Sequence, residues 1–456
     1  MTHSLKGSAS LTQGPIASTL FWFALPMMAG NLLQQMYNIA DTLIVGRFVG
    51  SQALGAVGSA YTLMTFLTSI LLGLSMGSGV AVSISLGRGD APRMRREIFL
   101  SLTMVGTTAL LLNLAAFLGL DFILAFLQTP AELWELMRTY LWVIFWGIGG
   151  TFLYNYYACM LRAVGDSVGP LLFLGGSALL NIVLDLLFVV GLGAGVAGAA
   201  WATVISQWLS GLGLTGYALL SRSDLRFGRK EARWDGSCAR HLFHLSFITA
   251  AQQSIMNFGI LLVQGRVNSF GPTIMAAFAA AVKIDSFAYM PVQDFGNAFS
   301  TFLAQNYGAR QHQRIRRGTR IALTVSLAFG ALVSAVVFLL AKALMLLFIQ
   351  PQETEILAAG VQYLRTEGVF YALIALLFLL YGFYRAIERP AMSVVLTVIS
   401  LGLRVILAYS LSALPALGVM GIWISIPIGW ALADIAGCIP MAKFFRSLPR
   451  QKDSAP

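Results

Sequence analysis

The chain is 456 residues long, 57% hydrophobic and only 11% charged, with a formal net charge of +11. A soluble chain needs roughly twice that charged fraction to cover its surface, so a water-soluble globular protein is excluded. The basic excess does not point to nucleic acid, because Lys and Arg lie in short loops between apolar stretches.

Stretches near the length that spans a bilayer, about 20 apolar residues, predict helices at 16–44, 53–86, 97–120, 136–159, 169–191, 194–220, 241–267, 273–306, 319–349, 359–383, 391–413 and 418–442. The first contains Pro26, where a bend is expected. A polar and Met-rich run follows it: Met27, Met28, Asn31, Gln34, Gln35, Met36, Tyr37 and Asn38. Met and Tyr offer an adaptable surface for apolar cations, which makes Met27, Gln34, Tyr37 and Asn38 candidates to line a substrate cavity. Asp41 closes this helix. Glycine clusters at Gly73–Gly79 and Gly147–Gly150 permit close helix approach.

Helix 5 carries Asn181 and Asp185, four residues apart and so on one face. At about 1.5 Å per residue they lie about 18 and 24 Å along it, and Thr203 about 14 Å along helix 6 from the opposite side. With Asp41 brought in by a bend at Pro26, two carboxylates, an amide and a hydroxyl can converge. That set offers only hard oxygen ligands, suited to a shared proton or a small cation such as Na⁺. A charge at the bilayer centre costs about 2.5–3.5 kcal/mol on insertion scales, so such residues are expected to do something.

The basic stretch 221–240 separates an N-lobe (1–220) from a C-lobe (241–456). In the second half, Lys283, Asp285 and Asp294 lie on helix 8, Glu367 on helix 10 and Arg404 on helix 11. Glu367 is a candidate partner for Lys283 or Arg404. A salt-bridge network and a substrate cavity are both open for this group. Asp434 in helix 12 reads as a packing residue, and Cys159, Cys238 and Cys438 show no metal-ligand or disulfide pattern.

Charge placement sets the orientation. With both termini on one side, 23 of the 30 basic residues, counting Lys6, Arg450 and Lys452, fall on that side and 4 on the other. The positive-inside rule then makes both termini of this polytopic inner-membrane protein cytoplasmic. A shift of 221–223 residues aligns Gly50–Ala56 with Gly271–Ala277, Arg93–Arg96 with Arg314–Arg317, Tyr140 with Tyr363, Arg162 with Arg385, and Gly195–Gly198 with Gly418–Gly421. Each half has an even number of spans, so the halves are parallel repeats about an axis along the membrane normal. The expected fold is therefore all-α: twelve transmembrane helices in two six-helix lobes. At offset 223, Asn181 meets Arg404 and Asp185 meets Ala408, so the second half has lost the acid and gained a cation.

Leu25-Pro26, Met36–Thr42 and Val45-Gly46 resemble the first-helix signature of the multidrug and toxic compound extrusion (MATE) family. Ala304–Ala309 resembles its motif after helix 8, and Arg162–Ser167 its loop between helices 4 and 5. Within the family the chain is similar to the bacterial DinF-like and MepA-like branch, and Asp41, Asn181, Asp185 and Thr203 match that branch's N-lobe cation site. Gln252 and Gln253 stand where the NorM-like branch carries a glutamate. The resemblance implies export of amphipathic, often cationic compounds in exchange for H⁺ or Na⁺, with no cofactor. A monomer in the lipid bilayer is expected, with no nucleic-acid partner. A flippase or exporter of lipid-linked or polar metabolites is the alternative. An enzyme has little support: the four histidines are expected on the cytoplasmic side with no metal-ligand spacing among deep acids, and no G-x-x-x-x-G-K-[ST] loop is present to hydrolyse ATP.

Overall fold

The computed structural model describes residues 11–126 and 129–449; Lys6, Arg450 and Lys452 lie outside them. Among the described residues every regular element is helical. The helices are α1 (Ile16–Phe48), α2 (Ser51–Arg88), α3 (Ala91–Leu118), a short α4 (Leu120–Phe126), α5 (Ala131–Ile144), α6 (Ile148–Ala163), α7 (Val168–Asp185) and α8 (Gly195–Ser221). After the linker come α9 (Gly236–Asn268), α10 (Pro272–Gly308), α11 (His312–Met345), α12 (Thr354–Gly368), α13 (Tyr371–Ala386), α14 (Pro390–Thr397), α15 (Leu403–Ser412) and α16 (Val419–Ser447). Among the described residues ten helices are long and apolar enough to cross a membrane, and α12 with α13 makes an eleventh span, bent by 54°. The 27-residue α8 is the remaining long helix.

The surface is inverted relative to a soluble protein. Leu118, Leu220, Leu339 and Leu347 are 74–81% exposed, whereas Ser75, Asp185, Asn306 and Ser425 are fully buried. Lipid, not water, is the solvent such a surface suits. Chain reversals use glycine where the backbone demands it: Gly89, at φ 72°, ends α2, and Asp90 then accepts from the Arg93 backbone N–H at 3.1 Å to start α3.

Two compact units form, one from Leu25–Ala250 and one from Leu11–Ala24 with Ala251 onward. The first unit thus runs on through the 221–240 linker into α9. The physical reason is that the linker packs back on the first unit. Arg222 pairs with Asp166 at 2.8 Å, and Arg96 with Asp235 at 2.8 Å. In the second unit, Leu11–Gly14 is held by the helix 8 motif. Leu11 N–H donates to Gln305, Asn306 donates to the Leu11 carbonyl, and Arg314 donates to the Gly14 carbonyl at 2.7 Å.

The duplication is visible in the backbone. A 3-10 turn at Phe145–Gly147 joins α5 to α6, and the break between α12 and α13 falls at 369–370, the same place at an offset of 223. The sequence predicts one straight helix over 359–383. It breaks because the Tyr371 N–H turns to the Ser334 hydroxyl at 3.2 Å, outside the helical ladder. Each repeat also carries a π-helical stretch beside its intramembrane polar residues, Leu186–Gly191 directly after Asp185 and Val398–Gly402 ending two positions before Arg404. Such widened turns reorient side chains and recur at functional sites.

Candidate functional site

In the first unit, Asn181 and Asp185 are 2% and 0% exposed on the inner face of α7. Asn181 Nδ2 donates to Thr203 Oγ1 on α8 at 3.4 Å, and Thr203 in turn donates to the Ala199 carbonyl at 3.1 Å. Asp41, half-buried on α1, brings its carboxyl close enough to that of Asp185 for direct interaction. The structure therefore gathers all four of these residues. α1 is continuous through Pro26.

The electrostatics of the group are unusual. Asp41 Oδ1, Asn181 Oδ1 and both Asp185 oxygens are buried and accept no hydrogen bond. Two carboxylates facing each other away from water repel, and each unsatisfied acceptor carries a desolvation penalty. A shared proton, or a small cation liganded by those oxygens, relieves both. Tyr37 and Tyr140 border the pair within electrostatic range of Asp41 and Asp185. In the sequence the one signal at Tyr140 is its recurrence as Tyr363 in the second repeat.

Of the candidate cavity residues on α1, Met27 is buried, Tyr37 and Asn38 are half-buried and Gln34 is exposed. The second unit holds a separate polar cluster. Asp285 of α10 accepts from the Tyr363 hydroxyl at 2.6 Å and from the Tyr371 hydroxyl. Glu367, one turn beyond Tyr363 on α12, and Arg404 of α15 lie within electrostatic range of Asp285 and of each other. Lys283 is exposed on another face of α10 and stands apart from this group. Asp294 is buried beyond Pro291 on the same helix. Nothing in the sequence sets Tyr371 apart, and Tyr363 stands out only as the repeat of Tyr140, because a tyrosine in an apolar span looks like packing. Trp423 closes the cluster, edge-on to Tyr363 at 4.8 Å and stacked on Phe278 at 5.6 Å.

Comparison with known proteins agrees with this architecture. The family model MatE matches residues 26–187 and again 246–410, one match in each repeat. The probable multidrug resistance protein YpnP of Bacillus subtilis is 29% identical over 427 residues, 93% of this chain and 94% of that protein. The FAD transporter of Shewanella oneidensis is 27% identical, covering 95% and 96% of the two chains. A solved outward-facing multidrug resistance MATE family transporter superposes with a TM-score of 0.92 at 22% identity, over 98% of this chain and all of that one.

Proposed function

The chain belongs to the MatE family, and on that premise we propose that it exports small amphipathic, cationic compounds in exchange for H⁺ or Na⁺ bound at Asp41, Asn181, Asp185 and Thr203. The observation that carries the reading is the carboxyl of half-buried Asp41 on α1 beside that of buried Asp185 on α7, with Asp41 Oδ1 and both Asp185 oxygens lacking a hydrogen-bond partner. The name of YpnP, a probable multidrug resistance protein, supports the export of drugs. Energy comes from an ion gradient, not from chemistry at a cofactor, and the chain is a transporter of the inner membrane with cytoplasmic termini, working as a monomer. Coupling requires that the ion favour one arrangement of the protein and the drug the other, since a ligand with equal affinity for both shifts nothing. Met27, Tyr37 and Asn38, on the helix that bears Asp41, put drug contact next to the ion site, and Pro26 serves as the hinge at which α1 flexes between the two arrangements.

Reconstituted protein should expel a cationic dye when ΔpH or ΔNa⁺ is imposed, and the responsive gradient names the ion. Asp41→Asn and Asp185→Asn should each reduce gradient-driven efflux at least tenfold while leaving the purified protein folded. Wild-type efflux by both variants would remove the assignment. The relative named as an FAD transporter favours a second reading, export of a polar metabolite. Gradient-driven release of FAD, with no movement of cationic dye, from the same vesicles would select it.

A further inference from the structure

The polar clusters of the two repeats share two aligned positions, while their carboxyl groups come from positions that do not correspond, Asp41 and Asp185 aligning with Gln264 and Ala408. At an offset of 223, Tyr140 corresponds to Tyr363 and Asn181 to Arg404. In the first unit Tyr140 and Asn181 adjoin the Asp41–Asp185 pair. In the second, Tyr363 and Arg404 adjoin Asp285 and Glu367. Each site has two carboxyl groups, a tyrosine from the fourth or tenth span and a side chain from the fifth or eleventh. Only the second has a built-in cation.

Details of the second site show a cation held near carboxylates without being locked to them. Arg404 is 9% exposed and Glu367 5%, yet Arg404 Nε and Glu367 Oε2 have no hydrogen-bond partner. Asp285 has both oxygens satisfied by tyrosine hydroxyls, so its charge is the better tolerated of the two. Removing one member of a buried charge set leaves the others uncompensated, which is strongly unfavourable. Glu367 therefore depends on Arg404 for its counter-charge.

We propose that Arg404 is a tethered counter-ion: its guanidinium holds, in the second repeat, the place that an exchangeable cation holds in the first, and its removal opens a monovalent-cation site bounded by Asp285 and Glu367. The first-repeat half of this comparison rests on the ion-site reading given above. The consequence for this chain is that one repeat binds a mobile ion while the other carries its own.

The test is made on the full chain in an Asp41→Asn/Asp185→Asn background, where the first site is silent. Thermal unfolding in detergent is followed as Na⁺ or Li⁺ replaces N-methylglucamine at constant ionic strength, and separately as pH is lowered. The background chain should show no dependence on Na⁺ or Li⁺. Adding Arg404→Ala should lower the midpoint in N-methylglucamine, and Na⁺, Li⁺ or acid should restore it, because a ligand that binds only the folded state stabilises it. Further addition of Glu367→Gln should restore the midpoint without cation and abolish the response. An Arg404→Ala chain that is destabilised yet indifferent to cations and acid overturns the proposal, as does one with an unchanged midpoint. If Arg404→Ala cannot be recovered, recovery of Arg404→Ala/Glu367→Gln supports the proposal and its failure overturns it. The Na⁺ response of the chain with Asp41 and Asp185 intact is a separate arm, so loss of the first-site reading is seen independently.

Discussion

Tyr363 donates its hydroxyl to Asp285 at 2.6 Å, while Tyr140, its counterpart 223 residues earlier, borders Asp41 and Asp185 through charge proximity. The same aromatic position thus serves a bonded carboxylate in one repeat and an unbonded pair in the other. Tyr363→Phe removes a donor from a buried charged acceptor, an interaction worth about 1.5–3 kcal/mol. Its unfolding midpoint should fall clearly, by differential scanning fluorimetry in detergent, and Tyr140→Phe should fall less. Equal losses would mean that the bond to Asp285 contributes nothing special.

Thr203 tests the ion pocket with a small change. Thr203→Val keeps the shape but takes away the hydroxyl that Asn181 Nδ2 meets at 3.4 Å. A neutral hydrogen bond contributes about 0.5–1.5 kcal/mol, which is about two- to tenfold in an equilibrium constant. Half-maximal dye efflux should therefore need a severalfold higher concentration of the coupling ion, and Thr203→Ser should recover most of the loss. An unchanged ion dependence in Thr203→Val would take Thr203 out of the site.

Asp166 gives a pH dependence outside the membrane spans. It sits in the turn between α6 and α7, where burial alone would raise its pKa. The Gly169 backbone N–H, Arg222 and the Tyr217 hydroxyl outweigh that and hold it below the usual carboxylate value. A depressed folded-state pKa contributes stability that is full above the unfolded value, near 4, and is lost as pH falls through the folded one. Asp166→Asn should lower the unfolding midpoint by a constant amount between pH 5 and 8, with the deficit shrinking below about pH 4. Asp235, held down to about 2 by the Ser237 hydroxyl, the Cys238 N–H and Arg96, should follow the same sign over a window from about 4 to 2. A deficit that grows on acidification would reverse the assignment.

The twelve spans were legible because their lengths and the scarcity of charge inside them leave few other solutions. Asn181 and Asp185 were legible because helical spacing fixes a shared face, and Asp41 because an acid in a lipid-facing chain is conspicuous. Pairings that depend on where a helix breaks were not legible. From the sequence Glu367 can pair with either Lys283 or Arg404; in the fold Arg404 is its charged neighbour and Lys283 is exposed elsewhere on α10. The packing of the basic linker onto the first unit was equally hidden, since Asp166–Arg222 and Arg96–Asp235 join residues 56 and 139 positions apart.

The glycines of α2 give the sharpest test of packing. A methyl group on Gly73 would lie 2.4 Å from Ala250 Cα, and one on Gly77 2.5 Å from Ser246 Cα, both on the first half of α9. These are backbone atoms that no rotamer change can move aside. The contact is sealed by a 2.9 Å hydrogen bond between Ser78 and Ser246 hydroxyls, which such an approach alone permits. Close approach through small residues four apart is how helices associate where lipid removes the hydrophobic drive. Gly77→Ala should therefore force α2 and α9 apart and cost about 1–3 kcal/mol, as overpacking does. Gly73→Ala/Gly77→Ala should cost more and reduce the yield of folded protein. Gly58 lies on the same helix with nothing within 4 Å of an added methyl. Gly58→Ala should be neutral or stabilising by up to about 1 kcal/mol, the helix-propensity gain. Size-exclusion profiles and unfolding midpoints of the three variants separate the two effects. If Gly77→Ala behaves like Gly58→Ala, then α2 and α9 are not in backbone contact at this point.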